Sequence, residues 1–298
     1  MRIAKFILML AVLATAPALA QGPPPNYSPA QLDQMVSRIA LYPDSLVAQI
    51  LAAATYSDQI PDAAQWADQH HYLTGSALAD AIQGDQLPWD PSVQALLPFP
   101  SVLEMMSRDM NWTTDIGNAF LARQQDVMDA IQRERRKARD YGYLRSNGQI
   151  IVGTSPYITI APANPAFVVV PYYDPGVVFF RPRPGIVVGG AIRFGFGVSL
   201  GAFFRPWGWG YNRFDWDRRT VIVNNAPWRR DWDNRVEYRH PYEGVHRWGP
   251  GDRVPEHHEL EERSPRERQD AREGRREHEE HRGGGDHGHD RGGDHDHR

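Results

Sequence analysis

Prolines that stand beside short apolar stripes constrain the first half of this chain more than any other feature. In 41–51, LYPDSLVAQIL, Pro43 ends one helical stretch, because the residue before a proline is pushed out of the α region. The apolar residues after it recur at the 3, 4 and 7 spacing of a buried helical face. Other prolines occupy the first turn of predicted helices, where a missing N–H is harmless: Pro29, Pro61, Pro91 and Pro100. We therefore expect a compact bundle of short helices.

One long helix, from about 112 to 140, is predicted to close the bundle. The basic residues of its last turns, 133–139, suit the negative end of the helix dipole, although they could also grip an anionic partner. Short β-type runs follow at 149–152, 157–160 and 167–170. The predicted fold is α+β, with a small antiparallel sheet or β-meander packed on the helical bundle.

The first twenty residues have the pattern of a secretory signal peptide. Arg2 and Lys5 precede the apolar run 6–13, and Ala18-Leu19-Ala20 is a small-x-small cleavage site. The alternatives are a membrane anchor or a core helix, but the run is too short to span a bilayer. We expect cleavage after Ala20 and a periplasmic or outer-envelope location. The chain has no cysteine, so it forms no disulfide in that compartment.

Charge divides the rest of the chain into three segments. Residues 21–180 contain 9 basic and 16 acidic side chains, 181–250 contain 12 and 6, and 251–298 contain 10 and 15. We interpret 21–27 as a linker, 28–180 as the helical-then-β domain and 181–250 as a Gly/Arg/Trp-rich segment. The tail, 251–298, has almost no apolar residues and is predicted to be disordered.

Within the second segment, 192–202 alternates strictly between apolar and polar or glycine residues, which is the period of a strand. We predict a hairpin, with 221–223 as its partner, that packs on the domain or on another copy. Gly197 and Gly201 also have the spacing of a membrane-helix packing motif, so 186–204 could be a membrane-associated helix. Arg193 and the period favour the strand.

Arginine and tryptophan alternate after this strand. The candidate residues for binding an anionic envelope surface are Arg205, Arg213, Arg218, Arg219, Arg229 and Arg230. The tryptophans would suit a membrane interface. The alternative is arginine–aromatic stacking within the segment. Interspersed aspartates and the predicted export argue against nucleic acid as the main partner.

The end of the tail nearly repeats itself and is rich in histidine and aspartate. Candidate ligands for weak Zn²⁺, Ni²⁺ or Cu²⁺ binding are His287, His289, His295, His297, Asp286 and Asp294. The alternative is a solvated low-complexity tail. No other cofactor is expected.

Several catalytic signatures are absent from the sequence: it has no glycine-rich phosphate loop, no His-Glu-x-x-His zinc-protease motif and no cysteine nucleophile. His70 and His71 near a helix end could serve a metal or act as a base, but such a pair is usually a surface feature. Asp44, Asp62 and Asp90 stand beside prolines, and helix capping explains them.

Four blocks in fixed order resemble a bacterial envelope family, domain of unknown function 3300. They are LYPDSLVAQIL (41–51), WDPSVQALLPFPSVLEMM (89–106), WTTDIGNAFLARQQDVMDAIQ (112–132) and ITIAPANPAFVVVPYYDP (158–175). The resemblance runs over about 28–178, and Ser45 departs from it where the family often has a second proline. It implies an exported protein with this domain, and it supplies no catalytic residues.

We therefore expect a non-enzymatic envelope protein that binds or scaffolds a partner and that could self-associate. The alternatives are a periplasmic metal-binding protein that uses the tail, and an enzyme that acts on envelope polymer from a cleft in the helical domain.

Overall fold

The computed structural model describes residues 22–184, 189–242 and 245. Proline-led and other short helices fill the first half of the chain, as the sequence predicts. The α-helices are α1 (Pro29–Val36), α2 (Asp44–Ala54), α3 (Ile60–Gln69), α4 (Gly75–Gly84), α5 (Pro91–Gln94), α6 (Pro100–Arg108), α7 (Met110–Ala122), α8 (Gln124–Asp140) and α9 (Pro175–Val178). Short 3-10 turns lie at Ser57–Gln59 and Arg205–Trp207.

The strands form small antiparallel sheets. They are β1 (Ile150–Gly153), β2 (Thr159–Pro162), β3 (Phe167–Val168), β4 (Pro171–Tyr173), β5 (Ile192–Phe194), β6 (Val198–Ser199), β7 (Arg213–Asp215), β8 (Thr220–Val223) and β9 (Ala226–Pro227). β1 pairs with β2, β3 with β6, β4 with β5, and β7, β8 and β9 form a three-stranded sheet. The predicted α+β class is confirmed.

Helix α2 is the centre of the core. Every residue from Leu46 to Ala54 is buried, so neighbouring elements cover this helix on all sides rather than along one face. Gly117 of α7 crosses the end of α2 so closely that a Cβ atom there would lie 2.1 Å from the Ala54 carbonyl oxygen. Small residues at this crossing therefore set how near the two helices approach.

A buried ion pair ties α8 to the start of α2. The Arg135 guanidinium is fully buried and donates to Asp44 Oδ1 at 2.6 Å. It also donates to the carbonyl oxygens of Ala40, Tyr42 and Ile158. Asp44 was expected to cap α2, and this prediction is wrong: its side chain makes no cap bond and pairs with Arg135 instead.

The Gly/Arg/Trp-rich segment packs into the same core. Trp207 Nε1 donates to Gln94 Oε1 at 3.0 Å, and Trp209 Nε1 donates to the Ala95 carbonyl at 2.9 Å. The Asn212 amide donates to Gln49 Oε1 at 2.9 Å, and both residues are buried. Residues far along the chain thus satisfy polar groups of the central helices.

The predicted long helix is two helices. Arg123 has extended backbone angles (φ −155°, ψ 85°) and separates α7 from α8. The Leu121 carbonyl at the end of α7 accepts the N–H of Trp232, and the Gln124 amide donates to the carbonyls of Trp228 and Arg230. At this interruption, the backbone of the Gly/Arg/Trp-rich segment therefore forms hydrogen bonds with the ends of both helices.

The alternating stretch forms strands, but their predicted partner is wrong. β5 and β6 pair with β4 and β3, whereas 221–223 lies in β8 and pairs with β7 and β9. Val168 lies opposite Val198, and Pro171 lies opposite Phe194. Three residues, 195–197, therefore stand opposite two, which is the count of a β-bulge.

Candidate functional site

A groove of about 970 Å³ lies beside α1, α7, α8 and α9. Its walls combine aromatic side chains with charges of both signs. They include Tyr27, Asp33, Arg38, Asp109, Trp112, Asp115, Glu134, Lys137, Tyr141, Phe179, Phe180 and Arg181. A concave site with aromatic walls and a few polar groups is the usual form of a binding pocket.

On one wall, α8 meets α1 through a chain of paired charges. Lys137 Nζ lies 2.6 Å from Glu134 Oε1 and 3.5 Å from Asp33 Oδ2, and Arg133 lies 2.7 Å from Asp33. The Glu134 side chain is 3% exposed, and this burial raises the pKa of its carboxyl although Lys137 opposes the rise. Within the basic end of α8, attributed to the helix dipole from sequence, Arg133 and Lys137 therefore pair with carboxylates of the protein itself.

On another wall, Arg38 lies 2.7 Å from Asp109 and 5.3 Å from the centre of the Trp112 ring. Asp109 accepts the Trp112 backbone N–H and caps α7. This bond, with that from Arg38, lowers the pKa of the Asp109 carboxyl. The guanidinium is therefore held between a carboxylate and an indole face.

The third wall includes the irregular segment that precedes α1. Tyr27 Oη donates to Asp115 Oδ1 at 3.3 Å. Burial, followed by the nearby Asp115 carboxylate, raises the pKa of Tyr27 to about 12. The hydroxyl therefore stays protonated at neutral pH and acts as a donor.

The sequence did not single out this groove, because its residues come from four separated stretches. Glu134 and Lys137 have the i, i+3 spacing of a helix pair, which was the one local signal available. Nothing local indicates that Asp33 of α1 faces them.

The arginines predicted to bind anions occupy different environments. Arg230 is buried: it donates to the Thr55 hydroxyl at 2.7 Å and to the Thr55 carbonyl, and it lies 3.6 Å from the Tyr56 ring centre. Arg218 lies 3.0 Å from Asp215, and Arg219 lies 3.3 Å from Asp129. Both are exposed, as are the other three predicted residues: Arg205, Arg213 and Arg229.

Four of the tryptophans in this segment belong to the core, which contradicts their interpretation as membrane-interface residues. Buried side chains are found at Trp207, Trp209, Trp216 and Trp228. Trp216 Nε1 donates to Asp44 Oδ2 at 3.2 Å, and Trp232, which is partly buried, donates to the Gly22 carbonyl. These indoles join the segment to the helical domain.

The histidine and aspartate candidates His70, His71 and Asp90 make contacts that support the local structure. The His70 ring stacks on Trp66 with 3.9 Å between centres, and His71 Nδ1 lies 2.5 Å from the Asp68 carbonyl oxygen. Asp90 caps α5, as expected, by accepting the Ser92 N–H at 2.9 Å.

Two further predictions concern residues outside the described ranges, namely the signal peptide at 1–20 and the metal ligands His287, His289, His295, His297, Asp286 and Asp294. Across 22–184 and 189–242, the structure brings no three His, Cys, Asp or Glu side chains together as a metal site. The helices of these ranges include none with the length and apolarity to cross a bilayer.

Comparison with known proteins places these features in a family. The model of a family described as "Protein of unknown function (DUF3300)" matches residues 28–249, which extends beyond the four blocks noted above. The "Uncharacterized protein YacH" of Escherichia coli (strain K12) is 34% identical over an alignment of 209 residues, and the match covers 57% of this chain. The matched part of this chain spans about a third of that relative's length (34%). No solved structure matches.

Proposed function

We propose that this chain, which belongs to the DUF3300 family of proteins of unknown function, binds a partner in the groove between α1, α7 and α8 and has no catalytic activity. One observation carries the proposal: opposite charges on the walls of the groove are paired with one another. Arg38 is held by Asp109, and Lys137 by Glu134 and Asp33. Such pairs fix a pattern of charge for recognition.

The partner we propose is a protein that presents an extended peptide segment. The groove places charges of both signs next to Trp112, Phe179 and Phe180. Aromatic walls suit apolar side chains, and the two signs suit a segment that contains both acidic and basic residues. Export to the cell envelope is part of this proposal and rests on the sequence of residues 1–20.

Site-specific photo-crosslinking in the living cell tests the groove. A photoreactive residue is placed at Gln34, which is exposed in the groove, and at Gln65, an exposed glutamine of α3 outside the groove. We expect a discrete product from Gln34 alone. Mass spectrometry then identifies the crosslinked segment, and its synthetic peptide is titrated into the purified protein.

The substitution Phe180→Ser supplies the matched variant for this titration, because the ring lines the groove and is 64% exposed, so its loss leaves the core intact. The peptide should bind the wild-type protein and should bind this variant more weakly. Products of the same kind from both glutamines, or a peptide indifferent to the variant, would refute the proposed site.

Glu134 is the observation that favours the alternative function, an enzyme acting on envelope polymer. Its raised pKa keeps the carboxyl protonated to a higher pH than an ordinary glutamate, as a general acid requires. The test measures soluble fragments released from purified envelope polymer by the protein and by Glu134→Gln. Release that the variant abolishes would establish the enzyme in place of the binding protein.

A further inference from the structure

Exposed aromatic side chains gather on the ribbon formed by β3, β4, β5 and β6. A Cβ atom at Gly195 would lie 3.1 Å from the Tyr172 ring, and one at Gly197 would lie 2.9 Å from the Phe167 Cβ. These glycines therefore leave room for the two aromatic side chains, both of which are exposed. Phe196, between the glycines, is 102% exposed. We use the name ribbon face for four exposed side chains of this ribbon, Phe167, Tyr172, Arg193 and Phe196.

The β-bulge explains how Phe196 becomes so exposed. Strand pairing ends at Val198 on one side and resumes at Phe194 on the other, with the Gly195 N–H donating to the Val170 carbonyl at 3.3 Å. The extra residue of a bulge is left out of the pairing and its side chain is redirected. A large apolar side chain in this position gains nothing from the protein's own core.

The chain around the ribbon face is cationic. Residues 175–214 contain five arginines and no aspartate or glutamate. All five are exposed: Arg181, Arg183, Arg193, Arg205 and Arg213. The Arg193 backbone pairs with that of Tyr172, which places one of these charges within the ribbon face itself. The described ion pairs of the protein include none of the five.

We propose that the ribbon face binds the surface of an anionic phospholipid bilayer, with Phe196 entering the headgroup region. Exposed aromatic side chains favour the boundary between headgroups and acyl chains, and arginines nearby are attracted to anionic lipid. Residues 175–214 themselves contribute no carboxylate that would repel such a surface; the flanking ones are Asp174 and Asp215. This inference does not depend on the proposed binding of a protein partner in the groove.

The absence of cysteine makes a direct test possible, because a single introduced thiol can be labelled selectively. The full-length protein carries F196C with an environment-sensitive fluorophore, and Y72C, at a tyrosine that is 69% exposed on the helical side, serves as control. Vesicles contain phosphatidylcholine alone or with phosphatidylglycerol. At low salt we expect emission at position 196 to rise about twofold or more with the anionic vesicles.

The control label should respond far less, and high salt should weaken the response because it screens the arginines. Cosedimentation of the unlabelled protein provides an independent readout. Arg193→Glu should weaken vesicle binding by about fivefold or more. Arg136→Glu, at an exposed arginine of α8 outside this stretch, should leave it nearly unchanged.

Three results would overturn the proposal. The first is no emission change at position 196 with anionic vesicles at low salt, or an equal change at position 72. The second is an emission change that grows with protein concentration without lipid, which would identify the ribbon face as a contact between copies. The third is binding to a soluble polyanion such as heparin without binding to vesicles.

Discussion

The substitution Arg135→Met tests the buried ion pair that joins α8 to α2. Methionine retains the length and flexibility of the aliphatic stem but removes every hydrogen-bond donor. It leaves Asp44, whose side chain is 15% exposed, without its cation. It also leaves the carbonyl oxygens of Ala40 and Tyr42 without the donor they have in the native protein.

Breaking a buried ion pair by removing one partner costs about 3–5 kcal/mol, because the remaining charge stays poorly solvated. Arg135 also donates to three carbonyl oxygens, so we expect a loss toward the upper end. In a domain of this size the corresponding fall in Tm is about 6–20 °C. Adding Asp44→Asn should recover about 0.5–3 kcal/mol of the summed loss, because the two residues are coupled.

Urea unfolding followed by tryptophan fluorescence measures the free energy of unfolding. The indole of Trp216 reports directly, because its Nε1 donates to Asp44. Arg136→Met is the matched control: the residue is next in sequence but exposed, and its loss should change stability by less than about 0.5 kcal/mol. A loss below about 1 kcal/mol for Arg135→Met would refute the reasoning, since it is the size of a surface effect.

Replacing Gly117 by alanine should lower the free energy of unfolding by about 1–3 kcal/mol, because the added methyl group would collide with the backbone of α2. The control Gly84→Ala places its methyl group in open space at the end of α4 and should not destabilise the protein. Mass spectrometry of the exported protein should find Gln21 at the N-terminus; a chain that keeps its first residue would contradict the predicted cleavage. Calorimetry should detect weak Zn²⁺ binding that requires residues 284–298 and fades as pH falls through about 6.5, where histidine becomes protonated. Equal Zn²⁺ uptake without those residues would exclude them as the site.

Local signals predicted the helices well. Pro29, Pro91 and Pro100 stand at the starts of α1, α5 and α6, because a fixed φ and a missing N–H matter only at a helix's first turn. The apolar spacing in 41–51 correctly predicted a buried α2. These features depend on residues a few positions apart, which a sequence displays directly.

Long-range pairing could not be predicted in the same way. Asp44 follows a proline, so capping was the simplest local explanation, but its partner Arg135 is 91 residues away. The period of 192–202 identified strand structure without identifying β3 and β4 as partners, since a strand's own alternation does not name its neighbour. The groove residues were missed for the same reason.

The tryptophan-rich segment was misinterpreted for a related physical reason. Its buried indoles bond to residues far away in the sequence, Gln94, Ala95 and Asp44, so nothing local identifies them as core. Trp207 and Trp209 each bury a ring and satisfy one polar group of the helical domain. Composition alone cannot distinguish such residues from exposed aromatics like Phe196.

The hydrogen bonds between the Gly/Arg/Trp-rich segment and the helices have a consequence for the kinetics of folding. Trp216 binds Asp44 across 172 residues, and Arg230 binds Thr55 across 175. Contacts between such distant positions form late, because closing a long loop costs entropy before the contact is gained. We therefore expect the central helices to lack their full covering until the chain has been synthesised past Arg230. A nascent chain held open in this way would depend on chaperones, which bind exposed apolar surface, for longer than a bundle of local contacts would.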